Sequence, residues 1–356
     1  MPFHLVRRQE SGMGIRIMVP LFSVLLSLLA GAVLLWLYGH SPLIVYESML
    51  KSAFGSYYGF SETLVKAIPL MLAALGISLA FRMKLWNIGA EGQIYMGAFA
   101  ASGVALAWGQ WSAWVLLPAM ILAGMLAGAL WAYIPGVLRA SLQVNETLSS
   151  LLLNYVAILW VDYLVLGPWK DPKGLNFPLT PRFTENATLP TWGDSRVHLG
   201  LLAALLLAVI LWVIMRRSRW GYEIRVIGES WDAARYAGMN ISRNIVLVMA
   251  LSGALAALAG VFEVAGITHR LQHGLSPGYG YSAIIVAWLG RLNPLAIVPV
   301  AVLFGGMLVG GYSIQTEGVP VSIALILQGL VLFFLLGGEV FLSHRLARND
   351  KSEVEG

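Results

Sequence analysis

The sequence contains no cysteine, which excludes disulfide bridges, thiolate metal ligands and a cysteine nucleophile. Charge is also scarce: 12% of the 356 residues are charged and 58% are hydrophobic, whereas roughly a quarter of an ordinary soluble domain is charged. A soluble fold needs charge over its surface, yet long stretches of this chain contain none. Lipid is therefore the expected solvent for most of the chain.

Motifs for nucleotide hydrolysis and for covalent catalysis are missing as well. No lysine follows a glycine, so the phosphate-binding loop GxxxxGK[ST] is absent, as are GxSxG and HExxH. The six histidines show no metal-ligand pattern, because His269 and His273 lie four residues apart without a third ligand. We expect no catalytic residue, no metal site and no cofactor in this chain.

Long apolar runs indicate the fold class. A helix that crosses the roughly 30 Å hydrocarbon core needs about 20 apolar residues. Runs of this kind predict an all-α polytopic bundle of about ten transmembrane helices, the first of which is too long for a signal-peptide core. The predicted spans lie near residues 17–39, 64–81, 87–108, 112–138, 148–167, 198–215, 245–267, 281–290, 294–312 and 319–342.

The distribution of basic residues predicts the orientation. With ten spans and a cytoplasmic N-terminus, most of the 23 lysines and arginines fall on the cytoplasmic side, as the positive-inside rule requires. Both termini are then cytoplasmic, and topology explains the net charge of +5 without a nucleic-acid partner. The predicted domains are an N-terminal segment 1–16, a transmembrane domain 17–342 with an external loop at about 168–197 and a cytoplasmic loop at about 216–244, and a charged tail 343–356.

The segment GESWDAARYAGMN in the cytoplasmic loop predicts a two-turn helix at the membrane surface. Ser230 suits the N-cap, Asp232 suits the positive first turn, and Gly238 suits the left-handed residue that ends a helix. Small residues flanked by aromatic rings suit insertion into a partner's cleft. The alternative is an interfacial helix anchored by its rings. The side chains expected to be exposed are Trp231, Ala233, Ala234 and Tyr236.

The segment WNIGAEGQIYMG places Asn87, Glu91 and Gln93 beside glycines at the start of the third predicted span. A charge at the bilayer centre costs about 3 kcal/mol or more, so Glu91 should face a watery cavity or stay near the interface. One hypothesis puts these side chains on a translocation path. The alternative is that Glu91 forms a structural ion pair with Arg82 or Lys84. The residues alone do not distinguish these two hypotheses.

The segment QVNETLSSLLLNY carries a second polar group, at the start of the fifth predicted span. Asn145 and Glu146 are expected to cap this helix, whereas Asn154 is the deepest polar residue and a candidate for contact with a hydroxylated solute. Asp162 and Glu263 lie toward external span ends without an evident partner. Used with Glu91 as a proton relay, they would make the chain a self-contained proton-coupled secondary transporter.

Three aromatic residues, Trp169, Tyr279 and Tyr281, fall at external span ends in this topology. Their rings could stack on a base or a sugar. Trp and Tyr are enriched at the interfaces of membrane proteins in general. We therefore interpret the three as part of an interfacial belt.

Four stretches between residues 64 and 312 resemble bacterial ABC permeases of the branched-chain amino acid and simple-sugar superfamily, particularly its nucleoside-type members. The most specific motifs are NIGAEGQ and LGRLNP. The matching stretches are FRMKLWNIGAEGQIYMGA, QVNETLSSLLLNY with GPWKDPKG after it, RWGYEIRVIGESWDAARYAGMN, and ITHRLQHGLSPGYGYSAIIVAWLGRLNP.

The resemblance implies an ATP-driven importer subunit for a nucleoside or simple sugar in a bacterial cytoplasmic membrane. It implies a separate ABC ATPase subunit, a second permease subunit and an external substrate-binding protein as partners. In such permeases a cytoplasmic coupling helix docks on the ATPase, and DAARYAG matches that helix at Asp232, Ala233, Ala234 and Gly238, with Asp232 in place of the usual glutamate. The residues beyond Gly238 do not follow the family motif.

Overall fold

The computed structural model describes residues 3–7, 13–320 and 322–348, and the regular secondary structure within them is helical apart from two short strands. Strands β1 (Phe3–Arg7) and β2 (His344–Arg348) pair antiparallel, which was not predicted. Residues 349–356 of the predicted tail lie outside the described residues. The helices of the described chain are α1 (Met13–Leu37), α2 (Pro42–Phe54), α3 (Tyr57–Arg82), α4 (Ala90–Ala107), α5 (Ala113–Leu142), α6 (Glu146–Leu166), α7 (Gly200–Arg217), α8 (Arg219–Glu229), α9 (Trp231–Tyr236), α10 (Ile241–Glu263), α11 (Tyr279–Leu289), α12 (Pro294–Ser313) and α13 (Ser322–Ser343).

The chain forms two compact units, one of Met1–Lys51 with Gly310–Gly356 and one of Ser52–Val309. In the first unit, α1 packs against α13. Gly31 permits this approach, because a Cβ at that position would lie 2.1 Å from Leu327 Cδ2. The functional candidates from the sequence all lie in the second unit.

The core of the second unit is built around α10, which packs against α3, α4 and α5. Small residues let the backbones of α5 and α10 come together. A Cβ at Gly253 would lie 2.3 Å from the Gly128 carbonyl oxygen. Close backbone approach through small residues is the usual way for helices to associate in lipid, where no hydrophobic force drives them together.

Six helices of the described chain are long and apolar enough to cross a membrane: α3, α5, α6, α7, α12, and α10 with its π-helical extension to Thr268. The pair α1 and α2 could form a seventh, although the chain bends by 116° between them. The other predicted spans correspond to α4, which opens with the polar turn AEGQ, to α11, which has 11 residues, and to α13. The fold is thus a helical membrane bundle, and the count of ten spans stays a prediction.

The predicted cytoplasmic loop at 216–244 is mostly helical, because α7 extends to Arg217, α8 and α9 follow, and α10 begins at Ile241. Helix α8 was not predicted. The hydroxyl of Ser218 caps it by accepting a bond from the Gly221 amide (2.9 Å). Its buried residues recur along one face, namely Gly221, Ile224, Ile227 and Gly228.

Candidate functional site

Polar side chains along one face of α6 hold the non-helical segment that precedes α4. Glu146, Ser150 and Asn154 are four residues apart, a spacing that places them on the same helix face. All three are buried, and each accepts a backbone hydrogen bond. The two polar segments found in the sequence are therefore in direct contact. The donors are the amides of Trp86 to Glu146 (3.2 Å), Ile88 to Ser150 (3.2 Å) and Gly92 to Asn154 (2.8 Å).

The amides of Asn87 and Gln93 bind each other and α10. Asn87 Oδ1 accepts from Gln93 Nε2 (3.0 Å), and Asn87 Nδ2 donates to Ser252 Oγ (2.9 Å). The two amide residues are 0% and 1% exposed. The start of α4 is thus fixed to α6 on one side and to α10 on the other.

The first turns of α4 and α11 meet at Glu91 and Gly280. A Cβ at Gly280 would lie 2.3 Å from the Glu91 backbone nitrogen, so only glycine permits this contact. The buried Glu91 carboxylate accepts from the Gly280 amide (2.7 Å), and the side chain of Ser276 also bonds to it. The positive ends of two helices meet at this side chain and partly offset the cost of burying it.

Glu91 is therefore held in place, although by a different partner from the one that the sequence suggested. Arg82 donates instead to the carbonyl oxygen of Leu292 (2.6 Å), at the end of α11. The contacts leave open whether Glu91 also influences a translocation path, which stays a prediction.

Two of the three predicted belt residues lie elsewhere. Tyr279 is 1% exposed, and its hydroxyl accepts from Lys66 Nζ (2.9 Å). The Tyr281 hydroxyl accepts from Asn154 Nδ2 (3.3 Å), which is half-way along the 21 residues of α6. The belt interpretation is wrong for both, because α11 starts inside the bundle rather than at its external edge.

Helix α9 has the predicted caps. Ser230 Oγ accepts from the Ala233 amide (3.3 Å), and Gly238 takes a left-handed φ of +69°. Ala233 is exposed and Tyr236 is 95% exposed, as expected. Ala234 is 0% exposed, so the prediction that it is exposed was wrong. The reason is that α9 is too short to project and packs its inner face against α8 and α10.

One arginine joins α9 to the polar face of α6. The Arg139 guanidinium lies 5.5 Å from the centre of the Trp231 ring, within the range of a cation–π contact. Its Nε lies 3.3 Å from Glu146 Oε2, and the other oxygen of that carboxylate accepts from Trp86. Arg139 therefore contacts both α9 and the side chain that holds the segment before α4.

Three further acids, Asp162, Glu62 and Glu263, have partners inside the unit. Asp162 lies 2.7 Å from His273 Nδ1. Glu62 forms a two-pronged ion pair with Arg196, which raises the pKa of that guanidinium above its usual value. Glu263 is buried and interacts electrostatically with Lys66 and Arg196. These pairs were not predicted, because the partners are distant along the chain.

Comparison with known proteins identifies the family. A family model described as the branched-chain amino acid transport system permease component matches residues 59–336. The chain belongs to this family. A glucose ABC transporter permease protein of Haloferax volcanii is 40% identical to this chain over 339 residues, which cover 92% of this chain and 89% of that protein. A guanosine ABC transporter permease protein of Bacillus subtilis is 35% identical over 327 residues, covering 90% and 92%.

A nucleoside ABC transporter permease protein of Lactococcus lactis is 30% identical over 329 residues, covering 90% of each chain. The permease is accordingly a membrane subunit of an ABC transporter, of a family without catalytic activity. This finding favours the ATP-driven hypothesis over the proton-coupled secondary transporter.

Within the site, sequence reasoning missed Arg139, Ser150 and Ser252. The spacing of Ser150 between Glu146 and Asn154 was the one available signal.

If Glu91 and Asn154 contribute to the translocation path, Glu91→Gln and Asn154→Ala reduce ATP-driven uptake more than they reduce the yield of folded permease. Glutamine keeps an oxygen for Gly280 and removes only the charge. Alanine at 154 leaves the Gly92 amide and the Ile88 carbonyl without their hydrogen-bond partner, at a cost of about 1–3 kcal/mol for each group. Ser149→Ala is the control, because that hydroxyl bonds only to carbonyls of its own helix turn. Normal uptake by both variants would place the path elsewhere.

The ion pair of Arg139 generates a second prediction. Arg139→Gln removes the charge that faces both Trp231 and Glu146, so uptake should fall severalfold while the ATPase still co-purifies. Arg139→Lys keeps the charge and should retain most of the uptake. The measurement is uptake per bound ATPase, with Arg217→Gln as a control at an exposed position on the same predicted cytoplasmic side. Unchanged uptake in Arg139→Gln would remove Arg139 from the coupling route.

Proposed function

We propose that the permease forms the translocation path of an ATP-driven importer for a nucleoside or a simple sugar. The observation that carries this proposal is the placement of α9, which is exposed on one side and attached through Arg139 to the face of α6 that holds α4. A partner that moves α9 can thereby move helices inside the bundle. The names of the relatives, which include glucose, guanosine and nucleoside permeases, support this substrate class.

The proposed partners are an ABC ATPase subunit on α9, a second permease subunit and an external substrate-binding protein. The apolar stretches of α5, α6 and α7 are 22%, 33% and 33% buried, against 89% for α3. Such uncovered helices need lipid or another subunit over them, which fits a paired permease in a bacterial cytoplasmic membrane. The choice between a homodimer and a heterodimer does not follow from these faces.

Residues Trp231, Asp232, Ala233, Ala234 and Gly238 are proposed to form the coupling helix. Their roles differ: Ala234 and Trp231 attach the helix to the permease, whereas Ala233 lies on the exposed side. Asn87, Glu91, Gln93 and Asn154 are proposed to act on the path through the helices that they position. Their amide and carboxylate groups fix the point where α4, α6, α10 and α11 meet.

The coupling hypothesis predicts the effect of charge on the exposed face of α9. Ala233→Glu would bury an unpaired carboxylate at the contact with the ATPase, which costs several kcal/mol and should abolish co-purification and uptake. Gly238→Val should act similarly by distorting the helix end, since valine is strained at φ +69°. Asn186→Glu adds the same charge in the predicted external loop and should have no effect.

Ala234→Glu serves as a contrast. It places a carboxylate inside the permease itself, so its loss of uptake should accompany a lower yield of folded protein. Normal co-purification and normal uptake in Ala233→Glu would contradict docking at α9 and would return the secondary transporter to first place.

Ten spans with both termini in the cytoplasm are proposed as the topology, and single cysteines can test it cleanly because the chain has none of its own. Asn186 and Ser230 are both exposed. Asn186→Cys should react with a membrane-impermeant maleimide from outside intact cells, and Ser230→Cys should react only after permeabilisation. Labelling of Ser230→Cys from outside would reverse the orientation and remove α9 from the ATPase side.

A further inference from the structure

Helix α6 presents a stripe of large side chains that the rest of its unit leaves uncovered. The stripe recurs every three or four residues, the spacing of a single helix face. Tyr155 is 58% exposed at the middle of the helix. Around it, the stripe consists of Leu148, Leu152, Leu159, Tyr163 and Leu166, each at least 58% exposed.

Tyr281 adds a second phenol at the same depth. It is 37% exposed, and its hydroxyl bonds to Asn154, the residue that precedes Tyr155. Within the described residues, the Tyr155 hydroxyl has no hydrogen-bond partner. Two phenols therefore lie near the middle of a stripe whose other members are four leucines and Tyr163.

This position is unfavourable for a face that contacts lipid. Tyrosine is common where the bilayer meets water, because one end of the ring is apolar and the other is wet. At the bilayer centre a hydroxyl without a partner costs about 1–3 kcal/mol or more. The exposed Tyr155 hydroxyl therefore needs a polar group from outside the described chain, and the candidates are water, a solute or the proposed second permease subunit.

We propose that Tyr155 and Tyr281 form a solute-contact patch half-way along the translocation path. The inference rests on the proposed function and extends it by naming the surface that the solute meets. Phenols offer a flat apolar face and a hydroxyl that both donates and accepts. The matching ligand is a neutral ring compound with several hydroxyl groups, a chemistry that nucleosides and simple sugars share.

The cysteine-free chain allows a direct test. Tyr155→Cys is compared with Leu206→Cys, a control seven residues into α7 with a similar exposed fraction of 61%. Both are assembled with the ATPase and the binding protein in vesicles and treated with a charged, impermeant methanethiosulfonate. Only a thiolate reacts, and a thiolate forms only where water is present, so Tyr155→Cys should react about tenfold faster. Guanosine and glucose are added in separate arms to slow the reaction.

Faster labelling that at least one solute slows supports the patch, and the effective solute distinguishes nucleoside from sugar. Labelling no faster than at Leu206→Cys overturns it, as does labelling that neither solute slows. ATP-driven uptake by the cysteine-free parent is measured in the same vesicles. If the parent shows ATP-driven uptake and Tyr155→Cys is not labelled, only the patch is wrong; if uptake is independent of ATP, the proposed function is wrong.

A second variant separates contact from folding. Tyr155→Phe removes one oxygen without a protein partner, so the yield and the bound ATPase should not change. The saturated uptake rate should fall about two- to tenfold if the oxygen meets the solute, the usual effect of one lost hydrogen bond. An unchanged rate in Tyr155→Phe would overturn the contact.

Discussion

The hydrogen bonds between α6 side chains and the backbone of residues 86–92 are the interaction on which the site depends. The chain leaves helical geometry before α4, and irregular backbone at membrane depth is tolerated only where other groups satisfy it. Glu146, Ser150 and Asn154 supply these groups from a single helix face. The same bonds fix the start of α4, which in turn places Glu91 against α11.

This arrangement explains why so many polar residues are compatible with lipid. Each polar group singled out near α4 is both buried and bonded: Asn87 to Gln93 and Ser252, and Glu91 to the first turn of α11. A buried polar group with its partners costs little, whereas one without them costs several times more. The exposed Tyr155 hydroxyl stands out because it lacks a partner within the described residues. Solute contact is therefore inferred at Tyr155 rather than at the buried amides.

Sequence patterns predicted the features that depend on neighbouring residues. The caps of α9 at Ser230 and Gly238 are read from local chemistry, and the apolar runs predict the bundle. Contacts between residues that are distant along the chain could not be predicted from these patterns. The burial of Ala234 depends on packing against α8 and α10, and the position of Tyr281 depends on where α11 starts. A hydropathy profile detects only an apolar run at α11, so it does not show that the helix begins inside the bundle.

The strength of these contacts indicates which helices move together. Four hydrogen bonds join α6 to residues 86–92, and together they contribute about 2–6 kcal/mol. Between α4 and α11, the contact consists of the close backbone approach at Gly280 and the Glu91 carboxylate, which bonds to the Gly280 amide and to the Ser276 side chain. In the proposed coupling mechanism, a pull on α9 through Arg139 would act first on α6 and α4, and then on α11 across its boundary with these two helices. The patch of Tyr155 and Tyr281 spans that boundary, since one ring belongs to α6 and the other to α11.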